Sequence, residues 1–306
     1  MVRFIAGLLA TLTLAGCTLP VVDPSFTGLA PDADPATFEC CHDPERQPAW
    51  FGILARDFAE PLAPLFESGD DSGLMAAFPA AGQRILAQAQ PLDLLVFSSK
   101  SHLSSRMLPG WFTHSAVYIG TERQLRAAGL WNAPGMARFH DDIRAGKIVV
   151  EGVAGGVRQA SWAQALGSRD AVALLRPTVS PGYRRASLGR ALTMVGMSFD
   201  YYYDMETCDS LACSEVVCRS LPDLSFPIRE TYGTKVLLPD DIAAKAIRGE
   251  DLRVVDYVRA DETGWTPTGL RGAMSDIAGF WGPMDPAKKG QVVASQDLEV
   301  CEFPGG

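Results

Sequence analysis

Cys213 lies in the stretch Ser210-Leu211-Ala212-Cys213-Ser214-Glu215-Val216-Val217, where a polar run gives way to an apolar helical pattern. A thiol there could fill a core, close a disulfide, bind metal or attack a substrate. Attack requires the thiolate, and the first turn of a helix favours it, because free N–H groups and the positive end of the dipole face the sulfur. Asp209 and Ser210 are the cap candidates just upstream. Together with Ser214 they would support N–H groups able to hold an oxyanion. A cysteine nucleophile also needs a histidine as base, and the base needs a third group to orient it. The chain offers four histidines. His42 follows a proline- and aspartate-rich run, His102 sits in a serine-rich loop, and His140 has acidic neighbours. His114 alone projects from a predicted central strand, where geometry is held tightly; a strand histidine is also a common core residue. Glu151, in Val149-Val150-Glu151-Gly152-Val153, is the candidate third member, with a surface glutamate at a strand end as the plainer alternative.

The elements that must position these residues can be read from periodicity. Trp50, Leu54 and Phe58 predict an amphipathic helix over about 49–60, and a second helical pattern covers Leu74 to Leu86. Pro91 to Ser99 predicts a short buried strand with Asp93 at its start. Phe112, His114, Ala116 and Tyr118 would line one face of the next strand, and Thr113, Ser115, Val117 and Ile119 the other. Lys147 to Val157 predicts a third strand, broken at Gly155-Gly156, and Ala171 to Pro177 a fourth. Ser180-Pro181 reads as an N-cap followed by proline in the first turn of a helix carrying Leu188, Leu192 and Val195. A polar, aromatic loop then leads to the cysteine helix, which stops before Pro222. Helices, then strands, then helices suit an α+β domain with an antiparallel sheet packed on helices.

The order of these motifs resembles the YiiX/YaeF-type permuted papain-like cysteine hydrolases of the NlpC superfamily, over roughly residues 90 to 221. The resemblance is carried by Pro91-Leu92-Asp93, by Thr113-His114-Ser115 running to Gly120, by Glu151, and by Cys213-Ser214-Glu215-Val216-Val217. It implies a circularly permuted papain-like fold with the histidine strand ahead of the cysteine helix. By position it implies Cys213 as nucleophile, His114 as general base and Glu151 as the residue orienting the imidazole, with a structural role for Asp93. Glu215 matches the motif's glutamate, and an i,i+4 ion pair with Arg219 is its plainer reading. Two departures stand out: Phe199 replaces a tyrosine in Gly196-Met197-Ser198-Phe199-Asp200, and Leu92 takes a glycine's place before Asp93. The resemblance implies amide or ester hydrolysis without metal or organic cofactor, on a peptide, an N-acyl amino acid or a lipid-like small substrate. Acyl transfer of the lecithin retinol acyltransferase type and a non-catalytic envelope-binding role are the alternatives.

Composition sets the outer bounds. With 306 residues, 47% hydrophobic and 21% charged, the chain can bury a sizeable core. A formal charge of −9 excludes the basic surface that nucleic acid requires. Arg3 and the apolar run Phe4 to Leu14 read as a signal peptide, too short to remain as a membrane span. Leu14-Ala15-Gly16-Cys17 resembles a bacterial lipoprotein processing box, which implies cleavage before Cys17, its lipidation, and anchoring on the periplasmic face of a Gram-negative outer membrane. Export permits disulfides among Cys40, Cys41, Cys208, Cys218 and Cys301, and Cys301 is placed to staple the tail to Cys40 or Cys41. Metal binding at Glu39 to Asp43 is disfavoured, because adjacent cysteines rarely share an ion. Cys208, Cys213 and Cys218 are spaced so that a helix scatters them. The expected domains are a signal peptide at 1–16, a lipidated tether at 17–48, the hydrolase at 49–260 and an extension at 261–306.

Overall fold

The computed structural model describes residues 28–42, 44–45, 73–99, 109–283 and 292–297. The signal peptide, Cys17, the helix expected over 49–60, His102 and Cys301 lie outside the described residues. Among the described residues, no helix is long and apolar enough to cross a membrane.

The strands are β1 (Leu94–Ser98), β2 (His114–Tyr118), β3 (Lys147–Val153), β4 (Gly156–Ser161), β5 (Ala171–Pro177), β6 (Pro227–Thr231), β7 (Thr234–Val236), β8 (Leu252–Asp261), β9 (Gly264–Pro267) and β10 (Val292–Ala294). One seven-stranded sheet has the order β4-β3-β2-β1-β5-β8-β9, with every neighbouring pair antiparallel. A three-stranded sheet, β10-β6-β7, stands beside it. Every position of β1 and β2 is buried, which follows from their central place and from helices covering both faces. The Gly155-Gly156 break in the expected third strand is a hairpin turn between β3 and β4, with φ of 94° and 122° at the two glycines.

The helices are α1 (Pro79–Gln88), α2 (Glu122–Ala127), α3 (His140–Arg144), α4 (Trp162–Leu166), α5 (Pro181–Thr193), α6 (Cys213–Ser220), α7 (Pro239–Arg248) and α8 (Gly269–Trp281). A short 3-10 turn, Leu74–Ala77, precedes α1, so the helical pattern expected from Leu74 splits in two. Helix α5 starts as its sequence predicts: Ser180 Oγ accepts the Tyr183 N–H at 3.2 Å, with Pro181 in the first turn. It packs against α6, which in turn covers β2 and β3, while α7 and α8 cover β8.

Position 92 shows how a departure from a glycine pattern is accommodated. Leu92 has φ 76°, a left-handed conformation that costs a side-chain-bearing residue about 1–2 kcal/mol. Its side chain is fully buried, a gain of about 1.5–3 kcal/mol that covers the backbone cost. Asp93 then serves the expected structural role. Its carboxylate accepts Arg176 Nε at 2.8 Å, Arg176 Nη2 at 2.6 Å and the Gln90 N–H at 2.8 Å.

Two expected boundaries are corrected. Residues from the presumed tether belong to the fold: Phe38, Cys40, Cys41 and His42 are buried, and Arg248 and Arg229 donate to the carbonyls of Phe38 and Cys40. The boundary placed at 260 falls inside β8, and β9 and α8 follow as an edge strand and a packed helix. The buried carboxylate of Asp240 explains why α8 matters. It accepts the Trp111 N–H, the Phe112 N–H and Trp281 Nε1, each at 2.7 Å. The chain leading into β2 is thereby tied to α7 and to the end of α8.

The cysteines also correct an expectation. Cys40 and Cys41 form a disulfide with one another, so neither is left to staple the tail as expected. Positive φ at Cys41 (65°) lets neighbouring side chains turn toward each other. Cys208 is disulfide-bonded, whereas Cys213 and Cys218 are free thiols.

Candidate active site

The position of His114 as first residue of β2 places its ring at one end of the sheet. It pairs with Phe97 of β1, and Ala116 pairs with Glu151 of β3, so strand alternation puts the side chains of Phe97, His114, Ala116 and Glu151 on one face. His114 Nε2 and Glu151 Oε2 are 2.9 Å apart. The stacked Phe97 ring fixes the imidazole from the side, with centroids 5.7 Å apart and planes inclined by 28°.

Cys213 arrives from the opposite face. The β2–β3 ladder runs from Tyr118↔Val149 to Ala116↔Glu151 and stops there. The next residue of β3, Gly152, turns its missing side chain toward α6. A Cβ at that position would lie 3.1 Å from the Leu211 carbonyl oxygen and 3.2 Å from the Cys213 nitrogen. The N-terminus of α6 therefore packs directly on the backbone where the ladder parts. This brings the Cys213 thiol within hydrogen-bonding reach of the His114 ring and the Ser115 amide. Nε2 is committed to Glu151, so Nδ1 is the ring nitrogen left for sulfur.

Charge follows this geometry. Burial pushes the Cys213 thiol up, but the imidazole and the Ser115 amide outweigh it and hold the thiol below its ordinary value. Burial and the nearby Arg169 charge push His114 down, while Cys213 and Glu151 outweigh them and hold it above its ordinary value. The two shifts share one cause, thiolate facing imidazolium. Burial likewise pushes Glu151 up, yet His114, Arg169 and Arg158 pull its carboxyl down to about 2. Arg158, opposite Glu151 on β4, donates to Oε1 through Nε at 3.0 Å and Nη2 at 2.8 Å. A buried carboxylate needs such partners, since an unpaired one costs several kcal/mol.

The predicted trio Cys213, His114 and Glu151 thus meets in space. The predicted caps do not take part. Asp209 is exposed, and the chain runs on extended beyond Ser210, with the Leu211 N–H donating to the Ser198 carbonyl at 2.9 Å. Ala212 occupies the cap position, and Glu215 folds back so that Oε2 accepts the Ala212 N–H at 2.7 Å. Ser214 is buried in the first turn of α6. The Arg219 pairing of Glu215 is present at 3.3 Å. Burial raises Glu215 to about 8, and its carboxyl shares a hydrogen bond with buried Asp200. Asp200 in turn accepts the N–H groups of Tyr202 at 2.8 Å and Asp204 at 2.6 Å, which shapes the loop before α6. In that loop Tyr203 is half-buried with φ 56°, and its phenol is raised, first by loss of solvation and then by the charge of Cys213.

The two other histidines among the described residues stand elsewhere. His42 lies 6.2 Å from Trp281 between ring centroids, and His140 stacks on Trp131 at 3.7 Å. Cys218 is buried, which raises its thiol to about 11 and leaves it inert at neutral pH. Cys40, Cys41 and Asp241 come close enough to suggest a metal cluster, but the two sulfurs are bonded together and both Asp241 oxygens accept Arg229 at 2.8 Å. Arg158 and Arg169 were not singled out from sequence. Arg158 could have been, since a hairpin turn at Gly155 places it across from Glu151.

Residues 88–298 match the family described as permuted papain-like amidase enzyme, YaeF/YiiX, C92 family, which is well over half of the chain. Comparison with curated proteins and with solved structures finds no match. A central histidine strand followed by a late cysteine-bearing helix is the permuted order, and the chain belongs to the permuted papain-like amidases of the YaeF/YiiX, C92 family.

Proposed function

We propose that the chain is a cysteine hydrolase in which Cys213 is the nucleophile, His114 the general base and acid, and Glu151 the residue that orients the imidazole. The thiolate attacks the carbonyl carbon of an amide, and the oxyanion settles on N–H groups at the start of α6. His114 gives its proton to the leaving amine, the C–N bond breaks, and a thioester remains. Water then gives a proton to His114 as it attacks the thioester, releasing the acid and the sulfur. The substrates are cell-wall peptide amides or N-acyl compounds, esters included. Cys17 carries the lipid that anchors the enzyme on the periplasmic side of the outer membrane.

The observation that carries this reading is a free thiol facing a histidine whose other nitrogen is bonded to a buried, doubly clamped carboxylate. Alkylation by iodoacetamide tests it. At pH 6 a free thiol is ionised in roughly 0.3% of molecules. Cys213 is expected to react about tenfold or more faster than such a thiol, and His114→Ala to remove that excess. Equal rates in the two proteins would leave Cys213 a structural thiol. Product analysis with and without an added amine acceptor separates hydrolysis from acyl transfer.

A further inference from the structure

Arg169 has no part in the steps above, yet its guanidinium is buried beside them. It leaves the turn between α4 and β5 with 13% of its side chain exposed. Nε donates to the Ala165 carbonyl at 3.1 Å and Nη1 to Ser99 Oγ at 3.2 Å. Nη2 lies 4.0 Å from Glu151 Oε2, the oxygen that His114 Nε2 also meets. The guanidinium lies 5.1 Å from the Phe97 ring centroid, and that ring stacks on His114. The turn is braced from outside: the Met75 N–H donates to the Arg169 carbonyl at 2.9 Å, and the Gly73 N–H to Gly167 at 2.8 Å. Gly73 packs so closely on the Arg169 backbone that a Cβ there would overlap it. A buried cation is expensive unless matched by charge. Here the match is Glu151, and the cost is incurred within the site.

We propose that Arg169 is a positioning residue of the hydrolytic site. It holds Glu151 ionised and in line with His114, and its charge limits how firmly the imidazole keeps its proton. The inference rests on the reading of Cys213, His114 and Glu151 as that site. Without this cation, Arg158 on the far oxygen would be left as the counterweight to the hold of Glu151 on the imidazolium, and proton return to the ring would be favoured over proton donation to a leaving amine. The charged and titratable groups around His114 are Glu151 from β3, Arg158 from β4, Arg169 before β5 and Cys213 from α6. One layer out, Tyr203 faces Cys213 and Asp170 faces Arg169.

Titration of the His114 ring protons by NMR in the full chain tests this, with His114→Gln used to assign the signals. In Arg169→Met and Arg169→Gln the midpoint is expected to move up by about one pH unit, because repulsion of the imidazolium is lost. Arg169→Lys keeps the charge and is expected to stay within a few tenths of wild type. A merely structural arginine would lower stability in all three without this ordering. An unchanged or lowered midpoint in whichever uncharged variant keeps its far-UV spectrum overturns the proposal, as does a lysine variant that shifts as far as methionine. Iodoacetamide labelling keeps the two readings apart. Slow labelling of wild type with the ring shift intact sinks the nucleophile and spares Arg169, and fast labelling with no shift does the reverse.

Discussion

At position 152 a hydrogen in place of a side chain lets the turn before α6 rest on β3, with 3.1–3.2 Å between a hypothetical Cβ and the Leu211 to Cys213 backbone. Neighbouring backbone cannot yield as a flexible side chain would, so Gly152→Ala must move α6. Overpacking of this kind costs about 1–3 kcal/mol. The larger effect is expected on chemistry: a displacement of a few tenths of an ångström takes the thiol away from His114, and the excess alkylation rate falls at least tenfold. Measurement of melting temperature and labelling rate together checks this, and a variant that loses stability but labels like wild type would refute it. Cys213, His114 and Glu151 were legible in the sequence because residue type, strand alternation and motif order all pointed to them. Arg169 was not, because its place depends on a turn folding back over Phe97, a contact that no local spacing encodes.

Helix α6 is built around a compromise between burial and charge. Glu215 caps its own helix by accepting the Ala212 N–H, and for that it is taken almost wholly out of water. Its acid is raised to about 8 by burial, against an ordinary value of 4.5. Because the folded value lies above the unfolded one, its contribution to stability is full below about 4.5 and declines as pH rises toward 8. Glu151 works in the opposite direction and in another range, since a carboxyl lowered to about 2 loses its contribution only as pH falls below the ordinary value. Melting temperature is therefore expected to fall between pH 5 and pH 8 in wild type, and to fall less in Glu215→Gln, which can still accept the Ala212 N–H. Parallel curves for the two proteins would show that Glu215 carries no such dependence. Sequence reasoning chose Asp209 and Ser210 as caps because their types suit the role. It could not see that Ser198 holds the chain extended for two further residues, which moves the cap to Ala212.

For the molecule as a whole, the histidine strand is held by residues far downstream. The segment after 260 reads as loose because it is rich in glycine, threonine and proline, and β9 is a half-exposed edge. Nevertheless Ala273, Met274, Ile277, Phe280 and Trp281 are buried. A chain ending at residue 260 would lose that apolar face and the indole bonded to Asp240. It is expected to melt without a cooperative transition, in contrast to the full chain; a sharp transition with full labelling of Cys213 would restore the original boundary. The anchor of Trp281 on the same carboxylate that holds Trp111 and Phe112 has a consequence for biogenesis. A partly synthesised or clipped polypeptide can already contain the thiol, the imidazole and the carboxylate, but it lacks the last tie that aligns them. On the proposed reading, alignment of the site therefore waits until Trp281 has been added, late in synthesis.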